Sequence, residues 1–203
     1  PLGLPDCISE ISPGIMITVF NYRINQLLGT DGLVTFTVLM YIYNLVLMVM
    51  VGTSQGTQPL VSYYYGRDDK KAVSTLHKYA RVLVTGAGVL LFLIVEIFAP
   101  NITASFISKD TTNYFNTIAA LRQFSFVFLI MGHVVITSGY MVALEEPRKA
   151  FVLSISRGII FILFSLFVCT TLFKENGIWI SCTISEIFCL VIALYDLKTQ
   201  KKI

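Results

Sequence analysis

The sequence predicts an all-α integral membrane fold of six transmembrane helices, on three observations. Of the 203 residues, 55% are hydrophobic and only 13% are charged, and the mean hydropathy is +0.75. A soluble domain carries about 25% charged residues, so this surface belongs in a bilayer. The apolar residues gather into six stretches of spanning length with polar turns between them. Finally, basic residues concentrate in alternate turns, as the positive-inside rule requires.

The first stretch covers roughly 2–28 and ends at Gly29-Thr30-Asp31-Gly32, a tight-turn signal. The second covers 33–64, longer than a bilayer needs, and Gly56 and Pro59 are expected to bend it. The polar run from Gly66 to Lys71 is expected to lead into an interfacial helix. The third stretch is 80–99, closed by Pro100 and followed by a polar segment over 101–116. The fourth is 117–142, ended by the charged run Glu145 to Lys149. The fifth, 150–173, and the sixth, 178–197, flank a turn from Lys174 to Gly177, and a basic tail follows. No connection is long enough to hold a soluble domain, so residues 1–203 read as a single six-helix lobe. No cleavable signal peptide is visible. Position 1 is proline and the chain opens almost inside its first stretch, which leads us to expect a piece of a longer protein.

Alternation of the turns fixes an expected orientation. Arg67, Lys70, Lys71, Lys78, Arg81, Arg148, Lys149, Lys198, Lys201 and Lys202 fall on one side, against Lys109 and Lys174 on the other. That places both ends of this segment in the cytoplasm of a cell (plasma or inner) membrane. Trp179 and Tyr195 sit near segment ends, where aromatic belts are expected.

Several function classes are excluded. Net charge is only +3 with no basic stripe, so no nucleic-acid partner is expected. The four cysteines, Cys7, Cys169, Cys182 and Cys189, form no CxxC pair and read as small buried hydrophobes, not metal ligands or a disulfide framework. There is no Gly-rich phosphate loop, paired metal-binding histidine or nucleophile elbow, so the chain does not read as an enzyme.

Polar groups inside spans are costly in lipid and mark sites facing protein or a cavity. Glu10, Gly14, Ile17 and Asn21 share one helical stripe, and a carboxylate with an amide suits a proton or cation. Solvation of Glu10 at the interface is the plainer alternative. Glu186 lies near the middle of the sixth span with Cys182, Thr183 and Cys189 on its face. It reads equally as a coupling acid or as half of an ion pair with Arg157 in the neighbouring span, beside Ser154, Phe161 and Ser165. Glu96, near the end of the third span, is expected to snorkel to water. The second span carries Asn44, Val51, Gln55, Gln58 and Ser62 at helical spacing, a stripe for lining a cavity or bonding to a neighbouring helix. The fourth carries Arg122, His133, Thr137 and Tyr140 near one stripe, and His133 reads first as a satisfied core residue and second as a titrating group. Buried acids and interrupted helices fit a coupled transporter.

The run Gly52-Thr-Ser-Gln-Gly-Thr-Gln-Pro-Leu-Val-Ser-Tyr-Tyr-Tyr-Gly66 closely resembles the GxxQGxQPLxSYxYG run of bacterial multidrug and toxic compound extrusion (MATE) exporters. Gly3-Leu-Pro5 with Ser9-Glu10 and Gly14 resembles the opening of that family's seventh helix. Ser156-Arg157-Gly158 resembles the start of its eleventh, and Gly177-Ile-Trp179 with Ser185-Glu186 its twelfth. The resemblance implies the C-terminal lobe of a two-lobe, 6+6 helix transporter whose first lobe lies elsewhere. It implies export of small amphiphilic, often cationic, compounds by antiport against Na⁺ or H⁺, with no other cofactor and with Glu10 matched to a coupling acid. Two other classes compete. A lipid-linked saccharide flippase of the same superfamily would need a basic cavity, for which Arg23, Arg122 and Arg157 are the available cations. A non-transporting six-helix scaffold or dimer would need no buried acids.

Overall fold

The computed structural model describes residues 4–200, with side chains from residue 11 onward apart from those of Ser12, Pro147, Thr199 and Gln200. Among the described residues the chain is helical with short turns and carries no strand. The elements are α1 (Leu4–Gly66), α2 (Lys70–Ala104), α3 (Thr112–Ser125), α4 (Phe128–Ala143), α5 (Pro147–Ile155), a π-helical turn (Ser156–Ile160) and α6 (Phe161–Gln200).

Two of these elements fold back on themselves. Within α1 the backbone leaves helical geometry at Gly29 (φ 64°, ψ −152°), a region open essentially to glycine. The rings of Phe20 and Phe36 stack at 5.5 Å. Sixteen residues of straight helix would hold them about 24 Å apart, so the arms before and after Gly29 form a hairpin. Within α6 the break falls at Lys174 (φ 51°, ψ −123°), and Phe161 meets Phe188 across it at 5.5 Å. The sequence expected four-residue turns at both places; the chain reverses about a single residue in each.

Pro59 and Gly56 lie inside α1, whose backbone stays helical past them to Gly66. Three further expectations are corrected. No separate interfacial helix precedes the third span, and Pro100 does not close it. Instead α2 runs unbroken for 35 residues, started by Asp69, whose side chain accepts from the Ala72 N–H at 2.9 Å. The fourth span is not one rod, because α3 and α4 meet at 44° across Phe126 and Val127. Among the described residues three helices are long and apolar enough to cross a membrane, or four with this bent pair counted as one, and the hairpins divide α1 and α6 into two arms each.

Packing follows stripes of small residues. The buried positions of α2 include His77, Ala80, Val84 and Gly88, at spacings that keep one side of the helix inward. A Cβ on Gly88 would stand 2.6 Å from the Phe128 carbonyl oxygen, so backbone meets backbone there. The outward residues are apolar too: Leu83, Leu90, Ile97, Phe164, Phe167 and Val191 are exposed. Such a belt is what lipid solvates.

The two ends of the bundle differ in charge. At one end Ser62 donates to the Ala143 carbonyl at 3.2 Å, and Val61, Val73, Ala143 and Leu144 cluster, which joins the turns after α1 and α4. Asp196 lies within the field of Lys149, so the end of α6 is there as well. Arg67, Lys70, Lys71, Arg148, Lys149 and Lys198 therefore share this end. At the other end the Asn113 side-chain amide donates to the Asp31 carbonyl at 3.0 Å, and Arg23 Nε donates to Thr170 at 3.2 Å.

Lys174 occupies its positive φ without being glycine, which strains an L-residue by about 1–2 kcal/mol. Lys174→Gly is expected to raise the thermal midpoint of the full-length protein, and an unchanged or lower midpoint would show that the turn carries no such strain.

Candidate functional site: an ion pair at an apolar cavity

Between the helices lies a partly open pocket, a cavity of about 150 Å³. It is bordered by both arms of α1, by α3 and α4 where they bend apart, by α5 and the π-turn, and by both arms of α6. Both helix irregularities therefore abut it: Phe124 and Val127 flank the 44° bend, and Arg157 and Gly158 belong to the π-turn. A π-turn inserts a residue into the helical register and so re-aims its side chains, a device common at functional sites.

Arg157 leaves that turn to meet Glu186 on the second arm of α6. Its Nε donates to Glu186 Oε1 at 2.8 Å, and its Nη2 donates to the Tyr43 hydroxyl at 3.4 Å. The side chains are 25% and 7% exposed, so the pair is largely withdrawn from solvent. Three segments of the chain are thereby tied together: the second arm of α1, the π-turn and the second arm of α6. Glu186 Oε2 is buried and has no hydrogen-bond partner among the described residues. A buried charged acceptor left open costs several kcal/mol unless something donates to it. The titratable groups around Glu186 are Arg157, Tyr43, Cys182 and Cys189.

The other residues singled out from the sequence distribute as follows. Glu10 lies outside the residues whose side chains are described, as does Cys7. Asn21 is exposed and does not border the cavity, although Ile17 of its stripe does. Asn44 borders it, with its amide donating to the Met40 carbonyl at 2.8 Å. Gln55 is exposed and away from it. Gln58 and Tyr140 belong to a separate small cleft with His77, whose ring lies 4.2 Å from that of Tyr140. His133 bonds Thr85 at 3.1 Å, an inter-helix contact outside the cavity. The stripe expected to join Arg122 to His133 does not exist, because the α3–α4 bend falls between them. Arg122 instead lies 3.7 Å from Glu96, which also accepts from Ser125 at 2.8 Å. Glu96 thus has protein partners and does not merely reach for water.

Sequence reasoning missed Tyr43 and His77. Tyr43 stands one position before Asn44 and one turn from Met40 and Leu47, all at the cavity wall, so a stripe drawn through 40, 43 and 47 would have found it. Among the described residues no group of three His, Cys, Asp or Glu could hold a metal ion.

Solved structures similar to the chain include three transporters. A MATE transporter in complex with MaL6 superposes with TM-score 0.90 at 20% identity, covering 99% of this chain and 46% of that one. The outward-facing conformation of a multidrug resistance MATE family transporter of the MOP superfamily gives the same values. A MOP superfamily transporter from Pyrococcus furiosus, described as having a binding pocket of reversed polarity, gives TM-score 0.89 at 19% identity, with 98% and 45% covered. At such identity these matches establish the fold, and the chain spans about half the length of each. No curated protein matches at the sequence level. The MatE family model, however, aligns with residues 5–167, most of the chain. With one half of a MATE fold around an apolar cavity and a membrane belt outside it, the chain belongs to the MatE family of membrane transporters.

Proposed function

We propose that this chain is the C-terminal lobe of a secondary active exporter that expels small amphiphilic, often cationic, compounds in exchange for Na⁺ or H⁺. A first six-helix lobe faces it across a central substrate path. Both ends of the segment lie in the cytoplasm of a cell membrane, which accords with the basic end of the bundle. The observation that carries the reading is Glu186, a carboxylate at the wall of the pocket, buried in the bundle, whose second oxygen has no hydrogen-bond partner among the described residues. Intramembrane acids of this kind mark ion paths. Glu10, matched to the family's seventh-helix acid, is the second coupling carboxylate, with Asn21 on its stripe. Loading of these carboxylates shifts the balance between outward- and inward-facing states, since an ion drives such a change only through its differential affinity for the two.

The exporter reading is favoured over a saccharide flippase by the partners of the cations. Arg122 and Arg157 are each paired with a carboxylate, and Arg23 is hydrogen-bonded to Thr170 and Gln26. Of these three, Arg23, whose partners are neutral, is the one that keeps an uncompensated charge for an anionic cargo.

Glu186→Gln in the full-length transporter, assayed as gradient-driven efflux from proteoliposomes, is expected to reduce efflux about 5- to 150-fold, the range of an ordinary coupling energy. Reconstituted protein levels should be normal. Efflux equal to the parent at equal protein would remove Glu186 from coupling.

A further inference from the structure

We propose that the groove between α2 and α4, at the basic end of the bundle, seats one anionic glycerophospholipid, with its phosphate on Lys78 and Arg81 and an acyl chain along Val89, Phe92 and Phe126. The inference requires neither export nor coupling.

Depth places the two cations. α2 has 35 residues, about 52 Å of helix, whereas a hydrocarbon core is about 30 Å thick. The apolar run 82–99 carries one charged residue, Glu96, and fills about 27 Å of that core. Residues 70–81 therefore extend about 18 Å past it at the basic end. The headgroup layer is about 5–8 Å deep on each side. Lys78 and Arg81 fall within it, and Lys70 and Lys71 stand beyond it.

Register supplies the groove. Lys78, Arg81, Thr85, Val89 and Phe92 follow one another at intervals of three or four residues and so share a face of α2. Thr85 bonds His133 of α4 at 3.1 Å, and His133 lies within the field of Arg81, so this face borders α4. Further along, the ring of Phe92 lies 5.2 Å from that of Phe126 at the α3–α4 bend. Arg81 and Phe92 are about 16.5 Å apart along the axis, close to the depth of one leaflet's hydrocarbon, about 15 Å. Lys78, Arg81, Val89 and Phe126 are exposed.

Charge names the occupant. Residues 70–81 contain four cations and no acid. Among the described residues neither Lys78 nor Arg81 takes part in an ion pair. Asp69, which caps α2, lies about 13.5 Å from Lys78 along the axis. Two such cations above an apolar groove complement a phosphate carried on acyl chains. A zwitterionic lipid brings its own cation to the same place and gains less. The position is also peripheral. No residue of α2 borders the pocket at Glu186, and α2 is the least enclosed of the three long helices, with 22% of its apolar stretch buried against 39% and 33%.

The test is native mass spectrometry of the purified, delipidated full-length transporter, with phosphatidylglycerol and phosphatidylcholine of identical chains as probes. A cation at a membrane surface is worth roughly fivefold in affinity for anionic lipid, so the two together should favour phosphatidylglycerol about thirtyfold. Lys78→Gln with Arg81→Gln should remove that preference. Lys70→Gln with Lys71→Gln, which deletes the same charge beyond the headgroup layer, should leave it in place. Glycerol phosphate, a headgroup without chains, should not compete. Equal affinity of the parent protein for the two lipids overturns the proposal, and is the result expected if the other lobe covers this face. Equal loss in both double variants overturns it in favour of diffuse surface charge. Competition by glycerol phosphate overturns it in favour of a soluble phosphate.

Discussion

Arg157→Met should lower the unfolding free energy of the full-length transporter by about 3–5 kcal/mol, the usual cost of breaking a buried ion pair on one side. The substitution leaves the Glu186 carboxylate among apolar side chains with neither oxygen satisfied, since Oε2 already lacks a donor. It also unties the π-turn from Tyr43 on the second arm of α1. Arg157→Met combined with Glu186→Leu removes both charges and supplies apolar volume. The double variant should regain most of the loss, because desolvation of the two ions offsets much of their attraction. Chemical unfolding of the parent, both single variants and the double variant closes the cycle. A pairwise coupling of several kcal/mol confirms the tie. Coupling near zero would mean that the two side chains do not depend on each other, and the pair seen between the π-turn and α6 would carry no stability.

Much of this lobe could be read from residue types. The apolar stretches, their order and the charge difference between the ends follow from hydropathy and side-chain charge, which act over whole segments and tolerate errors of a few residues. Glu186 and Arg157 stood out because a charge inside an apolar span is costly wherever it points. What sequence could not supply was register and breakage. Around the bend at Phe126 and Val127, residues 121–131 contain neither proline nor glycine, so its 44° had no local signal. The π-turn at Ser156–Ile160 was equally silent, although Gly158 lies within it. Conversely Pro100 predicted a helix end that did not occur. In a membrane bundle the packing of neighbouring helices fixes where a helix bends, and proline alone does not.

The same limit explains the scattered site candidates. Gln55, Gln58, His133 and Tyr140 were chosen for polarity on a helical stripe, but a stripe says only that residues share a face. Which face meets the cavity depends on how far each helix is rotated against its neighbours. Asn44 lies on the cavity side, whereas Gln58 and Tyr140 lie at a separate cleft and His133 bridges to α2.

Gly177→Ala is expected to destabilise the lobe by about 3 kcal/mol, at the upper end of the ordinary overpacking range, and Gly177→Val by more. A Cβ at this position would overlap the Cys169 carbonyl group, and would lie 2.9 Å from the Thr170 nitrogen, so only backbone could give way. The two arms of α6 thus meet backbone to backbone there, near their hairpin at Lys174. Forcing the arms apart there also moves Glu186, nine residues or about 13.5 Å further along the second arm, against Arg157 in the π-turn before the first. A shift near 1 Å would take the 2.8 Å Nε–Oε1 contact beyond hydrogen-bonding range. Gly86→Ala is the control, because a Cβ there meets nothing within 4 Å. In a helix interior it should be neutral or stabilising by about 0.5–1 kcal/mol. Thermal midpoints of the two variants decide the matter. A clear fall for Gly177→Ala beside an unchanged or raised Gly86→Ala means that the hairpin sets the register of the ion pair. Equal midpoints would mean that the arms of α6 leave room for a methyl group at this crossing.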